Sequence, residues 1–200
     1  MSAAAKIAVI YYSSTGNVHE LAKSIAEGAE KSGAEVRLRR VPELAPDAAI
    51  DSNPAWRAHV DATKDEVEVA TLDDLAWADG YALGSPTRYG NISSQLKQYI
   101  DSTGGLWQQG TMADKPFTAF TSAHNLHGGN ESTLLALYNT AHHWGSIIVS
   151  PGFTDPVVYG NGGNPYGTVH AGANGEVGDP AREAARYQGE RLAKITAKLS

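Results

Sequence analysis

Lys6-Ile7-Ala8-Val9-Ile10-Tyr11-Tyr12-Ser13-Ser14-Thr15-Gly16-Asn17-Val18 is the stretch that decides the fold. Its first half carries a short apolar run, Ile7 to Tyr11, with the length and composition of a buried strand. Its second half is a hydroxyl-rich turn that opens a helical pattern. A helix start leaves backbone N–H groups without partners, and the helix dipole adds partial positive charge there. Ser13, Ser14 and Thr15 add side-chain donors, and Gly16 lets the backbone come close to a ligand. One helix cap needs one such residue, whereas this loop offers three and then Gly-Asn. No lysine or arginine lies in the loop, so the expected guest is a phosphate held by neutral donors. The loop has neither Gly-x-Gly-x-x-Gly nor a Gly-Lys-Ser/Thr ending, which argues against a classical dinucleotide site and against a P-loop kinase.

Working outward, strand and helix patterns alternate. The first strand is expected over Lys6 to Tyr12 and the first helix over Asn17 to Ser32. Val18, Leu21, Ala22, Ile25, Ala26 and Ala29 form that helix's apolar stripe, and Gly33 suits its stop. Ala34 to Val41 reads as a second strand. Pro42 to Thr71 holds three prolines and Trp56 and reads as an irregular insertion within one domain. Asp73 to Trp77 reads as a short helix before a strand at Gly80 to Gly84. Ser93 to Thr103 is helical, with Leu96, Tyr99 and Ile100 inward. Lys115 to Ser122 is the fourth strand, Glu131 to Trp144 a helix and Ser146 to Pro151 the fifth strand. Residues 152 to 178 are glycine-rich and read as a functional loop. Asp179 caps a last helix to Leu199, with Pro180 in its first turn and Gln188, Leu192, Ile195 and Leu199 inward. Five short apolar strands alternating with helices predict an α/β fold with a parallel sheet covered on both faces. In such sheets ligands bind beyond the carboxyl ends of the strands.

The bulk numbers narrow the function. Two hundred residues suffice for one domain with a sizeable core. A net charge of −6 and scattered basic residues argue against nucleic acid as a partner. With no cysteine, redox chemistry needs a cofactor, and thiol nucleophiles and thiolate metal sites are excluded. The first residues carry no signal-peptide pattern and no apolar stretch approaches a membrane span, so a cytoplasmic protein is the expectation. No Gly-x-Ser-x-Gly hydrolase elbow is present.

Three further loops carry chemistry. Ser85-Pro86-Thr87-Arg88-Tyr89-Gly90-Asn91 follows the third strand and offers a hydroxyl, a planar cation, an aromatic face and two residues suited to tight turns. A flavin ring needs donors at its pyrimidine edge and flat or apolar groups against its faces. A plain surface turn has the same composition. Ser122-Ala123-His124-Asn125-Leu126-His127-Gly128-Gly129 suits a loop that wraps an aromatic cofactor. Thr103-Gly104-Gly105-Leu106-Trp107 sets a tryptophan at a corner, as a stacking wall, a subunit contact or a core residue. His124 and His127, with His142 and His143, raise the question of a metal. They lack a carboxylate close in sequence, so no metal is expected.

In this order, together with Gly162-Gly163-Asn164-Pro165-Tyr166-Gly167 and Ala185-Arg186-Tyr187-Gln188-Gly189, these segments make the chain resemble the WrbA-type NAD(P)H:quinone oxidoreductases. That family is flavodoxin-like, and the similarity runs from Lys6 to Leu199. It implies a doubly wound five-stranded parallel sheet of order 2-1-3-4-5. It implies one FMN per subunit, NADH or NADPH as donor, a quinone as acceptor of two electrons, and a homotetramer whose neighbouring subunits build each active site. It places the FMN phosphate on Ser13, Ser14, Thr15, Gly16, Asn17 and Val18. The ring falls against Pro86, Thr87, Arg88, Tyr89, Gly90 and Asn91, with Ser122, Ala123, His124, Asn125, Gly128 and Gly129 along its other edge. The family histidine near the flavin falls on His143, and Trp107 falls where the family's tryptophan borders the substrate. Three departures stand out. Thr15 replaces a frequent tyrosine linked to the nicotinamide cofactor. The 122–129 loop is richer in histidine and one residue longer. The insertion at 42–71 is longer than usual.

The expected reaction is ping-pong, with NAD(P)H leaving before the quinone enters the same space. Arg88 is the candidate for stabilising negative charge on reduced flavin, and His143 for donating a proton or hydrogen bond to the quinone. Trp56 and Trp107 are candidates for contact across subunits. Two rivals remain. A one-electron flavodoxin carrier would hold its flavin half-reduced and dock protein partners. A non-enzymatic regulatory or interaction protein on the same fold would refuse FMN.

Overall fold

The computed structural model describes residues 4–200. Its strands join in one sheet. β1 (Lys6–Tyr11) lies between β2 (Glu35–Arg40) and β3 (Gly80–Pro86), and all pairings are parallel. β4 (Pro116–Ala123) follows β3, and β5 (Ile147–Ile148) follows β4. The order β2-β1-β3-β4-β5 is the expected 2-1-3-4-5.

Strand β1 explains why both sheet faces are covered. Ile7, Val9 and Tyr11 join a cluster with Val18, Leu21 and Ile25 of α1 (Asn17–Lys31) and Leu192 of α9 (Asp179–Leu199). Ala8, Ile10 and Tyr12 join the opposite cluster, with Leu75, Leu96 and Leu137. Those three residues come from α4 (Leu72–Trp77), α5 (Ser94–Asp101) and α7 (Asn130–Trp144). Alternate residues point to opposite faces, so a strand covered on both sides is apolar throughout. Helices α1 and α9 meet through glycines. A Cβ on Gly28 would lie 1.9 Å from the Arg186 carbonyl oxygen, and one on Gly189 would lie 2.0 Å from that of Ile25. The Gly189 motif is therefore a packing requirement.

The fifth strand departs from expectation. Only Ile147–Ile148 pair with the start of β4, and the end of β4 pairs with β6 (Val169–Ala171). The 152–168 segment interrupts the strand and includes α8 (Pro156–Gly160). Gln188 closes the gap. Its Nε2 donates to Thr118 Oγ1 at 2.7 Å and to the Ala119 carbonyl at 2.8 Å, while its Oε1 accepts from the Thr168 N–H at 2.7 Å. Nearly complete burial of this amide is tolerable because all these bonds are made.

The insertion is not irregular. It holds α2 (Asp47–Asp51) and α3 (Pro54–Thr63). Pro46 is the N-cap of α2, and Pro54 is the first residue of α3 behind the Asn53 cap. Proline is well suited to a helix start, where no N–H bond is lost. At the other end, Gly178 takes the α9 cap position and Asp179 is the first helical residue. Gln188 and Leu192 are buried, Ile195 is half-buried, and Leu199 is exposed at 56% because the last turn runs past the sheet. The short helix α6 (Gly104–Gln108) carries Trp107.

Candidate functional site

The carboxyl ends of β1, β3 and β4 open into a cavity of about 540 Å³. The loop after β1 lines it with Ser13, Ser14, Thr15, Asn17 and Val18. Gly16 caps α1 at φ 102°, a left-handed conformation that favours glycine, and no side chain caps this helix. Ser13 Oγ instead accepts from the Gly16 N–H at 3.1 Å, which folds the turn. The first bond of the helix proper runs from the Glu20 N–H to the Gly16 carbonyl, so the N–H groups of the preceding helical residues have no intrahelical acceptor. The reading of three hydroxyls as a mere cap does not hold.

The loop after β3 contributes Pro86, Thr87 and Arg88. Arg88 and Asn91 exchange backbone bonds of 2.7 and 3.0 Å around Tyr89 and Gly90, which both have positive φ, at 54° and 75°. Two successive left-handed residues make the tight turn of a twisted hairpin. Thr87 Oγ1 accepts from the Gly90 N–H at 3.2 Å and bonds Thr133 Oγ1 at 2.8 Å, so the turn is anchored to α7. Arg88 reaches across the cavity mouth, its Nη2 donating to Ser14 Oγ at 3.2 Å. Tyr89 is fully exposed at the hairpin tip. It lies outside the cavity lining, as do Gly90 and Asn91, because the turn that orders Arg88 turns these residues outward.

The loop after β4 supplies Ser122, Ala123, His124, Asn125 and Gly128. Gly129 caps α7 at φ 96°, and a Cβ there would lie 2.7 Å from Gly90 Cα. Gly129 is thus a junction between two loops, outside the lining, as Gly16 is. Two lining residues escaped the sequence reading. Gly172 follows β6, and the Ala173 N–H holds the His124 carbonyl at 2.7 Å. Ala55 comes from α3 in the insertion. A split strand hides the first, and a methyl side chain carries no chemical signal for the second.

His143 and Trp107 stand elsewhere. Trp107 Nε1 donates to the His143 carbonyl at 2.8 Å, and both side chains are exposed. They meet at the C-terminal end of α7, whereas its N-terminal end borders the cavity. Fifteen residues at 1.5 Å each separate the two ends by about 20 Å. The structure does not bring His143 or Trp107 to the cavity of the same chain. Trp56, half-buried, donates Nε1 to Glu43 Oε2 at 2.9 Å. Among the described residues no three His, Cys, Asp or Glu side chains are grouped to hold a metal ion. No described helix is long and apolar enough to cross a membrane.

The electrostatics favour an anion. Among the described residues no carboxylate lines the cavity, and Arg88 is its one lysine or arginine. Free N–H groups, hydroxyls and the positive end of a 15-residue helix converge at one wall. Behind that wall His59 packs near Gly16, the His19 ring lies 5.4 Å from that of His59 at a tilt of 57°, and Tyr11 Oη lies 2.5 Å from His19 Nδ1. Burial, and then the neighbouring His19, push the His59 pKa down to about 4. Burial also lowers that of His19. The pair is therefore uncharged at neutral pH, and the anion site rests on neutral donors.

A parallel sheet in this order, with a phosphate-type loop after its first strand, defines an α/β protein of the flavodoxin kind. The solved structures agree on the fold. A flavodoxin, WrbA-like protein from Agrobacterium tumefaciens superimposes with a TM-score of 0.71 at 24% identity, over 98% of this chain and 100% of its own. A flavodoxin from the domain Archaea gives 0.64 at 18% identity, over 96% and 98%. Residues 5–155 match the family model of NADPH-dependent FMN reductases. A Deinococcus radiodurans protein named NAD(P)H dehydrogenase (quinone) is 46% identical over 200 residues, covering 100% of this chain and 99% of its own. One of the same name from Geotalea daltonii is 41% identical over 97% and 98%. The chain belongs to the NADPH-dependent FMN reductase family and is an oxidoreductase.

Proposed function

We propose that the protein holds FMN in the cavity at the strand ends and uses NADH or NADPH to reduce quinones by two electrons. One observation carries this reading. Three strand-end loops converge on a carboxylate-free cavity of about 540 Å³ whose hydroxyl-rich wall is a helix N-terminus. That volume lies in the range of cofactor pockets, roughly 300–1,000 Å³. The donor set suits a phosphate at one end. The mixed apolar and polar walls of Pro86, Ala123, Thr87 and Asn125 suit a flat ring at the other. The names of the relatives support the donor and the acceptor.

On this reading Ser13 to Val18 bind the phosphate through N–H and hydroxyl donors. Thr87, Arg88 and the 122–128 loop orient the ring and exclude water from one side. FMN, when bound, supplies the hydride-accepting ring, and the protein supplies binding, orientation and electrostatics. Arg88, tethered over the mouth by Ser14, stabilises negative charge that develops at the ring. The donor and the quinone use the same space in turn, which makes the kinetics ping-pong. Trp107 and His143 serve a neighbouring subunit of a homotetramer, where Trp107 walls the quinone and His143 offers it a hydrogen bond. Their mutual bond and their distance from their own cavity support that arrangement. Thr15, at the exposed rim of the phosphate loop, faces the nicotinamide donor. Work on NAD(P)H fits a cytoplasmic enzyme.

The test is an anaerobic titration of FMN-loaded protein with NADH and then benzoquinone. Bleaching at the flavin band followed by full recovery is expected. Bound flavin that NADH leaves oxidised would replace this reading with an electron carrier fed by another protein. Protein that retains no flavin would remove the cofactor assignment.

A further inference from the structure

Glu43 sits where the insertion meets the sheet. Its Oε2 accepts from Tyr12 Oη at 2.6 Å and from Trp56 Nε1 at 2.9 Å. Its Oε1 accepts from Gln95 Nε2 at 2.7 Å and from the Leu44 and Ala45 N–H groups, each at 2.9 Å. One half-buried carboxylate thus gathers the end of β1, helix α3, helix α5 and its own backbone. Burial opposes its charge, but the bonds from Tyr12, Ala45, Gln95 and Trp56 outweigh burial and hold its pKa below the usual carboxylate value.

The two Oε2 partners adjoin the cavity lining in the chain. Tyr12 directly precedes Ser13, and Trp56 directly follows Ala55, and both neighbours line the cavity. One turn along α3, His59 Nδ1 lies 3.7 Å from where a Cβ on Gly16 would stand. Helix α3 therefore leans on the phosphate loop. Yet Thr63 is its one buried residue. Ten residues are too few for a helix to persist in water without tertiary support. Apolar burial does not supply that support here, so the polar hub carries a large part of it.

We propose that Glu43 is a positioning residue that docks α3 against the phosphate end of the cavity and makes the insertion a wall of the flavin site. This rests on the reading of the cavity as an FMN site. The bonds to Tyr12 and Trp56 fix the spacing between the 13–16 loop and Ala55. Their loss widens the phosphate end and leaves the ring end, built on β3 and β4, in place.

Glu43→Gln and Trp56→Phe test this through dissociation constants for FMN and for riboflavin, read by flavin fluorescence. Glu43→Gln exchanges one acceptor oxygen for a donor that faces other donors. Its FMN constant is expected to rise about tenfold, and its riboflavin constant by less than twofold. Trp56→Phe keeps an aromatic ring of smaller size and removes the Nε1 donor, so about threefold on FMN alone is expected, and it decides the matter if Glu43→Gln does not fold. Unchanged FMN affinity in a folded variant would overturn the proposal. So would equal losses for both flavins, which signal general damage. Wild-type protein that holds neither flavin would instead remove the flavin reading itself.

Discussion

The two ends of the sheet carry different kinds of chemistry. At the carboxyl ends of the strands, loops from β1, β3 and β4 close on a polar cavity, and every loop is tied to a neighbour. Arg88 bonds Ser14, the Thr87 N–H bonds the Ser122 carbonyl at 2.8 Å, and Gly129 abuts Gly90. At the amino ends, Trp107 and His143 form a single pair with both side chains exposed. The first end converges from three loops of one chain, whereas the second presents two exposed side chains to solvent. A binding site needs convergence from several elements, whereas a surface that serves another subunit needs only presentation.

Ser14→Asp breaks the first end with the largest expected effect. It puts a carboxylate where the cavity offers only neutral donors and one guanidinium. Like charges held together cost several kcal/mol. Titration of the variant with FMN should show affinity lower by roughly 100-fold, which corresponds to about 3 kcal/mol. Arg88 softens the loss by pairing with the new carboxylate, so an Arg88→Ala background should deepen it. Unchanged FMN affinity would put the phosphate elsewhere.

Trp107→Ala addresses the second end and should do the opposite. FMN affinity stays at the wild-type value, because the cavity lining is built without Trp107, which stands at the far end of α7. Quinone turnover falls about tenfold, or about 1.4 kcal/mol, and sedimentation shows weaker self-association. A loss of FMN affinity without a change in assembly would mean that the ends are not independent. Unchanged turnover would remove Trp107 from the active site altogether.

How far the sequence reached follows the same division. Loops directly after strands were legible because chain order alone assigns them to one edge of a parallel sheet. Ser13 to Val18, Pro86 to Arg88 and Ser122 to Asn125 meet for that reason. Which loop residues turn inward was not legible. Tyr89 has the right chemistry, but the hairpin geometry at Tyr89 and Gly90 faces it outward. His143 was assigned through the family resemblance, which fixes its position along α7 and not its distance from the cavity of its own chain. β5 and β6 share one place beside β4 but lie twenty residues apart in sequence, so pattern reading yields one strand there. In the insertion, which reads as irregular, Pro46 and Pro54 stand at helix starts, where proline is at home. Glu43 looks like any surface carboxylate until its five donors are in view.

The smallest expected effect separates the loop from what lies behind it. His59 packs behind Gly16 and is held uncharged, with a pKa of about 4 against 6.5 in an unfolded chain. The unfolded state therefore binds more protons than the folded one below pH 6.5. Stability from this group is complete above 6.5 and is lost as pH falls towards 4. The full linkage would be larger, but His59 is only half-buried and solvent screens it. We expect about 1 kcal/mol after that discount. Thermal unfolding from pH 7 to pH 4 checks it, and His59→Gln should flatten the acid loss. Phosphate bound on the 13–16 loop would stabilise the imidazolium, so FMN-loaded wild type should lose less than FMN-free protein over the same window. Equal losses with and without FMN would separate His59 from the phosphate and leave it as packing for α3.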